Sequence, residues 1–447
     1  MRTPPNLLIL HTDQQSTWTL GAYGGTLVET PHIDRLAREG SCFQQFFTNS
    51  AVCTPSRGCL LTGRYPHQHG AYTNQEILNR DEITLAHVLA EVGYETGYAG
   101  KWHLDGTPRP GWVHPARSMG FQQARCMYNR GHWKKIVEPH FEMEPMVYPY
   151  HEIGDEETYT TDWLTEKTLD FVRQPRRRPF FFMASIPDPH TPFTVRPPYD
   201  NMYDPAAMPL PETLDNVGTS QWETRAQGRS PYGPQNPDRE TRLKQDMAQY
   251  CGQVKLIDDS VGRILAALED MGLLEETLVV FTTDHGEYMG EHGLLGKNNL
   301  YETAYRIPLL MRWPAGIPSG LSVERLFSTV DFQPTVLGLM GIEPSGREVG
   351  RNGADLVRGE DLAWTDEVHI HHSSLERAGI FTPQYELAYV KDDQAILFDR
   401  IVDPQQVTNR FSDPDYQDVV DSLTARILAH HREVGSPALD WLEVLAQ

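Results

Sequence analysis

No apolar run in this 447-residue chain approaches the roughly 20 residues that a membrane-spanning helix needs. Cysteine is scarce and scattered. Cys42, Cys53, Cys59, Cys126 and Cys251 are an odd set, and no pair has the spacing of a zinc ribbon or of a redox Cys-x-x-Cys. That pattern argues against a disulfide-stapled scaffold and points to a reducing compartment. Basic residues are outnumbered, with 39 Lys and Arg against 61 Asp and Glu, a formal charge of −22. Neither a nucleic acid nor an anionic membrane is expected as a partner of so acidic a chain. Internal repeats are absent. The first apolar segment, Leu7-Leu8-Ile9-Leu10, is too short for a signal-peptide core, so a cytoplasmic location is expected.

What remains is an ordinary globular composition, 39% hydrophobic, long enough for one large core and a smaller appended unit. Within it, Cys53-Thr54-Pro55-Ser56-Arg57 reads as a helix start, with Thr54 as N-cap, Pro55 at the first helical position and Gly63 closing the helix. Cys53 then lies at a helix N-terminus, where free N–H groups favour an anion and lower a thiol pKa. Arg57, one turn in, can fork onto a tetrahedral oxyanion.

Several buried strands deliver polar residues at their C-terminal ends, where open α/β sheets bind ligands. Leu7–Leu10 leads to Asp13-Gln14, and Tyr94–Ala99 leads to Gly100-Lys101-Trp102-His103. In extended chain Lys101 and His103 would share a face, a pairing suited to an oxyanion and a proton transfer. Phe180–Ser185 leads to Pro189-His190-Thr191-Pro192-Phe193, and Leu278–Thr282 leads to Asp284-His285. Two such acids on neighbouring strands would make a hard-cation site. Lys297 follows in Gly293-Leu294-Leu295-Gly296-Lys297.

In this order the motifs resemble the type I sulfatases of the alkaline phosphatase superfamily, over nearly the whole chain. The resemblance implies a large, mostly parallel central sheet flanked by helices, with a smaller C-terminal antiparallel sheet and helix. It implies that Cys53 is oxidised by a formylglycine-generating or sulfatase-maturating enzyme to formylglycine, whose hydrate is the nucleophile. It implies a divalent metal, Ca²⁺ first with Mg²⁺ or Mn²⁺ possible, on Asp13, Gln14, Asp284, His285 and position 53. Asp13-Gln14 departs from the family's usual pair of Asp residues. Arg57, Lys101 and Lys297 would stabilise the sulfuryl group, His190 with Lys297 would protonate the leaving oxygen, and His103 would act as the final base. The implied substrate is a small-molecule or saccharide sulfate ester; the acidic chain sits awkwardly with a long sulfated polymer.

The expected division is a catalytic unit over 1–360 and a C-terminal subdomain over 361–447, with a hairpin at Asp392-Asp393 and a terminal helix from Tyr416 to Val434. The aperiodic stretches 105–160 and 196–240 are expected to wall and cap the pocket and to choose the organic part of the substrate. Asn74 reads as an exposed loop amide, and His371-His372 and His430-His431 are given no role. A phosphonate monoester or phosphodiester hydrolase on the same scaffold is the alternative, and a non-catalytic binder of sulfated ligands a more distant one.

Overall fold

A computed structural model describes residues 4–106, 111–136, 152–216, 218 and 220–445. Its strands are β1 (Asn6–Asp13), β2 (Ser41–Phe43), β3 (Phe46–Phe47), β4 (Glu95–Lys101), β5 (Gln123–Tyr128), β6 (Phe180–Pro189), β7 (Thr277–Thr283), β8 (Leu309–Arg312), β9 (Leu321–Val323), β10 (Phe327–Ser328), β11 (Val368–His371), β12 (Arg377–Phe381), β13 (Tyr385–Val390) and β14 (Ile396–Asp399). The main sheet has eight strands in the order β5-β4-β6-β1-β7-β8-β2-β9. The run from β5 to β7 is parallel, and β8 is antiparallel to both of its neighbours. Both faces are covered, so the central strands are apolar on both sides rather than alternating. Leu7 and Ile9 of β1 face one layer and Leu8 and Leu10 the other.

The helices Pro31–Glu39, Thr160–Val172 and Arg239–Asp270 pack on the Leu8 side through Ile33, Trp163, Leu164, Ile257, Val261 and Ile264. Cys53–Thr62, Leu85–Glu91 and Thr329–Met340 pack on the Leu7 side through Leu60, Leu61, Leu89, Phe332 and Val336. The second sheet, β11-β12-β13-β14, is wholly antiparallel. One face, with Ile370, Phe381, Val390 and Phe398, packs on Phe47, Tyr301 and Tyr305 of the larger unit. The other, with Ile380, Leu387 and Leu397, lies under Leu423 and Ile427 of the terminal helix Gln417–Glu433. Among the described residues no helix is long and apolar enough to cross a membrane.

The two aperiodic stretches differ from expectation. Within 105–160, β5 is the edge strand of the main sheet; its residues are exposed or half-exposed until Met127 and Tyr128, which hides a strand from an apolar-run reading. Residues 107–110 and 137–151 of that stretch lie outside the described residues. Within 196–240 a helix, Gln221–Arg229, is held by a capping box in which Ser220 and Glu223 exchange side-chain and backbone bonds. Trp222 of that helix packs with Tyr301 and the second sheet, and Pro211–Thr213 line a separate cleft beside Glu291 and Gln405.

The adjacent histidine pairs also acquire surroundings. His369 and His371 of β11 meet His430 and His431 of the terminal helix, with His67 beside them. His369 and His430 stack at 3.6 Å, His371 and His431 lie 4.5 Å apart, and His371 Nε2 is 2.9 Å from His430 Nε2. His431 is fully buried with neither ring nitrogen partnered. Burial, then His369 and His67, lower its pKa from 6.5 to about 3. A depressed imidazole pKa means that the unfolded chain binds the proton more readily. The contribution to stability is therefore complete above pH 6.5 and lost as pH falls toward 3. Each such group adds a slope of up to about 1.4 kcal/mol per pH unit. His431→Leu should flatten the fall of Tm between about pH 7 and about pH 5; identical falls in both proteins would remove His431 as a contributor.

Candidate active site

Parallel β4, β6, β1 and β7 end on one side of the sheet, and their last residues meet there. Asp13 closes β1, Lys101 closes β4, His190 follows β6, and Asp284 follows β7. Gly100 has φ +109°, and a Cβ there would meet the Ser185 carbonyl oxygen at 1.9 Å, so only glycine lets β4 run against β6 just before Lys101.

Helix Cys53–Thr62 points its N-terminus into this convergence and is buried along its length. It starts two residues earlier than the Thr54 cap reading. Val52 is the N-cap and Gly63, at φ +64°, ends the helix as expected. Thr54 cannot serve as the cap because its hydroxyl donates to the His103 carbonyl at 2.7 Å. Its N–H goes to Asn74 Oδ1 at 3.1 Å, so Asn74 is a half-buried capping group rather than a free loop amide.

Arg57 is 1% exposed, and its donors are committed. Nε donates to Asp284 Oδ2 and Nη2 to Asp13 Oδ2, each at 2.9 Å, while Nη1 donates to the Lys101 carbonyl and Ser185 Oγ, each at 2.8 Å. The guanidinium clamps two carboxylates rather than forking onto an open anion pocket. Lys101 Nζ pairs with Asp13 Oδ2 as well. Burial opposes the Asp13 charge, yet Lys101, His190 and Arg57 hold its carboxyl well below the usual range. Burial and Asp13 oppose Asp284, and His285 with Arg57 keep it lowered.

Position 53 sits among these charges. The Cys53 Sγ is 3.1 Å from His285 Nε2 and 3.8 Å from both Asp13 Oδ1 and Lys101 Nζ. This thiol stands in for the oxygen of a formylglycine, whose aldehyde carbon is the present Cβ. Burial and Asp13 would raise the thiol pKa, but Lys101, Lys297 and His285 outweigh them and lower it. His285 itself is raised, since burial is overcome by Asp284 and Cys53.

Asp13, Cys53, Asp284 and His285 offer ligand atoms within 4.8 Å of one another, all buried. Two ionised carboxylates, an imidazole and a nucleophile position in that space fit a divalent cation. Gln14 lies against them, with its N–H on Asp284 Oδ1 at 3.0 Å. Its amide nitrogen donates to Glu287, and its carbonyl oxygen accepts from Lys297 Nζ. Lys297 also donates to His190 Nε2 at 2.9 Å, and His190 Nδ1 donates to the Thr191 carbonyl at 2.8 Å. Burial, then Lys297, push the His190 pKa well down.

His103 departs from the extended geometry assumed for it. The strand stops at Lys101, and His103 adopts φ +56°. Its Nε2 accepts from Arg130 Nε at 3.2 Å, and burial with Lys101 and Arg57 keeps it neutral, the form a base requires.

Arg130 belongs to a group that sequence reasoning missed, the loop after β5. His132 of that loop stacks on His190 and bonds Lys101, while Lys134 pairs with Asp188. Its only local signal is the density of polar residues directly after a strand that was itself missed. In front of the site is a cavity of about 450 Å³ lined by Gln14, Asn74, His190 and Lys297. Farther out it meets Thr73, Gln75, Thr191, Asn298 and Ser373, the last from the smaller unit. Residues 196–240, expected to cap the pocket, do not line this cavity among the described residues.

Comparison with known proteins agrees with this geometry. The Sulfatase family model matches residues 5–342, and the N-sulphoglucosamine sulphohydrolase C-terminal model matches 290–433. The chain is 26% identical to the N-acetylglucosamine-6-O-sulfatase of Bacteroides thetaiotaomicron, over 92% of this chain and 83% of that one. Its fold superimposes on BT4656, solved in complex with its substrate D-glucosamine-2-N,6-O-disulfate, with a TM-score of 0.81 at 23% identity, covering 98% of this chain and 99% of that one. The phosphonate monoester hydrolase of Agrobacterium radiobacter gives 0.77 at 23% identity, with 96% of each chain covered. With a cysteine at a helix mouth inside a metal-ligand cluster, and a family model spanning the large unit, the chain belongs to the sulfatases, which hydrolyse sulfate esters at a formylglycine and metal site.

Proposed function

We propose that the chain removes sulfate from a small hydroxylated molecule, a saccharide sulfate above all, with formylglycine at position 53 and a divalent cation held by Asp13, Gln14, Asp284, His285 and that residue. The observation that carries this reading is the buried cluster of Asp13, Cys53, Asp284 and His285 at a helix N-terminus. Oxygen predominates in the donor set once Cys53 is converted, which suits a hard divalent cation, Ca²⁺ first with Mg²⁺ and Mn²⁺ as alternatives. Such a cation supplies Lewis-acid neutralisation of sulfuryl charge and a lowered pKa for the nucleophile.

The remaining work belongs to side chains. Lys101 and Lys297 flank the position of the sulfuryl group and stabilise charge that grows in the transition state. Arg57 acts through Asp13 and Asp284, which it orients. Lys297 and His190 form one hydrogen-bonded unit facing the cavity. Lys297 is its charged member and His190 its neutral one, so the proton for the leaving oxygen is drawn from this pair. Neutral His103 is the base that closes the cycle, with its Nε2 lone pair passing from Arg130 to the proton it takes.

Described lining beyond the site combines the amides and hydroxyls of Thr73, Asn74, Gln75, Thr191, Asn298 and Ser373 with the aliphatic Val52 and Leu295, and includes no Phe, Tyr or Trp ring and no carboxylate. This supports a polyol or sugar over an aryl group, and over choline, whose ammonium needs an aromatic cage or an anion. The switch from parallel sheet to antiparallel β11–β14 supports a boundary near residue 360 between the two units. The five free cysteines suit a reducing compartment.

Co-expression with a maturation enzyme should convert Cys53, seen as an aldehyde-containing peptide by mass, and Cys53→Ala should abolish sulfate release. An aldehyde-bearing protein that cleaves an aryl phosphonate ester but no sulfate ester would replace this reading with the phosphonate hydrolase. Inactivity after full conversion would leave a binding protein.

Chelation should stop turnover, with Ca²⁺ restoring it best. Asp284→Asn should lower kcat by about a hundredfold or more, and unchanged kcat would remove Asp284 from the site. Among sulfate monoesters, sugar sulfates should give a higher kcat/KM than aryl sulfates; the reverse order would overturn the assignment of the cavity.

A further inference from the structure

The loop after β5 carries a histidine that touches two of the groups assigned above. His132 Nε2 lies 2.7 Å from Lys101 Nζ. An ammonium has no lone pair, so His132 Nε2 is the acceptor and its proton resides on Nδ1. The same ring stacks face to face on His190, with centroids 3.6 Å apart and planes 2° from parallel. Lys101 closes β4 and His190 directly follows β6, so one side chain from the loop after β5 spans the ends of two neighbouring strands.

A lysine ammonium on a flexible stem has three donors and no intrinsic direction. At Lys101 two of the three are spoken for, by Asp13 Oδ2 and His132 Nε2. With those fixed, the third is left for the Cys53 side, where Sγ is 3.8 Å away. Without His132 the ammonium would keep Asp13 as its one close partner, with Cys53 Sγ at 3.8 Å, and would be free to turn about the Asp13 contact. The stacked ring meanwhile limits rotation of His190, whose own Nε2 meets Lys297.

We propose that His132 is a positioning residue: it aims the Lys101 ammonium at the sulfuryl group and fixes the plane of His190, so that both flanks of the sulfate subsite are set by one imidazole. This rests on the sulfatase reading of Lys101 and His190 given above. The two contacts separate by substitution. His132→Phe keeps a flat ring to stack on His190 but has no acceptor for Lys101. His132→Gln places an amide oxygen near the Nε2 position and loses the stack.

The test is the affinity for inorganic sulfate of the full chain with Cys53 unconverted, measured by calorimetry alongside Tm. His132→Phe should weaken sulfate about tenfold, which is about 1.4 kcal/mol. His132→Gln should weaken it by no more than about threefold, less than half of that free energy. Tm should stay close to that of the parent in both. In converted enzyme, kcat/KM for a sulfate ester should fall at least as far and in the same order. Equal losses in the two variants would overturn the proposal, because the acceptor would then not matter. Unchanged affinity in His132→Phe, with a loss in Lys101→Ala, would overturn it while leaving the sulfatase reading intact. Unchanged affinity in all three would overturn it and also remove Lys101 from the sulfate subsite.

Discussion

Two carboxylates on adjacent parallel strands, Asp13 on β1 and Asp284 just past β7, are fully buried within reach of one another, held by the Arg57 guanidinium between them together with Lys101 beside Asp13 and His285 beside Asp284. Like charges in a dry interior drive each other to neutrality unless a counter-charge is fixed between them. Arg57 supplies it with one nitrogen on each carboxylate, and a third nitrogen reaches the ends of β4 and β6 through the Lys101 carbonyl and Ser185 hydroxyl. The ends of all four central strands are thereby tied to the first turn of one helix. Removing one member of such a set leaves an uncompensated buried charge, a loss of about 3–5 kcal/mol. The clamp also fixes the helix axis, and with it the distance from position 53 to His285. Stability and chemistry thus depend on the same interaction.

The electrostatics of the site run against those of the chain. The net charge is −22, yet Arg57 lies between Asp13 and Asp284, and Lys101 and Lys297 act on Cys53 in the same small volume. Low-dielectric walls focus that local field, so an anionic ester can be drawn into a protein whose surface repels anions. The repulsion falls hardest on a long polyanion, which must lie along the acidic surface as well as enter the site. A compact, singly or doubly sulfated substrate suffers least. The lining beyond Lys297 agrees, since its amides and hydroxyls, beside Val52 and Leu295, offer hydrogen bonds without further cations.

Legibility followed the length of the apolar run behind each residue. Asp13, Lys101, His190 and Asp284 each follow a strand that is buried on both faces, so both the strand and the position of its polar end could be read. β5 is an edge strand with exposed and half-exposed positions along most of its length, and its loss hid Arg130, His132 and Lys134 at its end. The helix Gln221–Arg229 had a readable capping box in Ser220 and Glu223, and was passed over because Pro, Asn and Gly crowd the surrounding chain. Thr54 looked like a cap by type; only the tertiary bond to the His103 carbonyl shows why the helix starts at Cys53. His67, His369, His371, His430 and His431 come from three elements, and no pattern within one segment could have joined them.

Gln14 shows how a departure from the family pair can be accommodated. Its backbone sits at φ +65°, an unusual conformation for a non-glycine residue, held by its N–H on Asp284 and by Tyr250, whose hydroxyl donates to the Gln14 carbonyl at 2.7 Å. Behind the side chain lies buried Glu287, which accepts from the Met289 N–H at 2.9 Å and the Gly296 N–H at 2.6 Å, and whose pKa burial raises. A carboxylate offers only acceptors, so it takes the amide nitrogen of Gln14 and turns the carbonyl oxygen toward Lys297. An aspartate at this position would set a third carboxylate against Glu287 with no donor between them. Glutamine instead presents one oxygen to the site and one donor to Glu287. Gln14 and Glu287 thus form one arrangement, in which the amide satisfies the buried carboxylate with a donor, gives its oxygen to Lys297 and adds no charge to this interior.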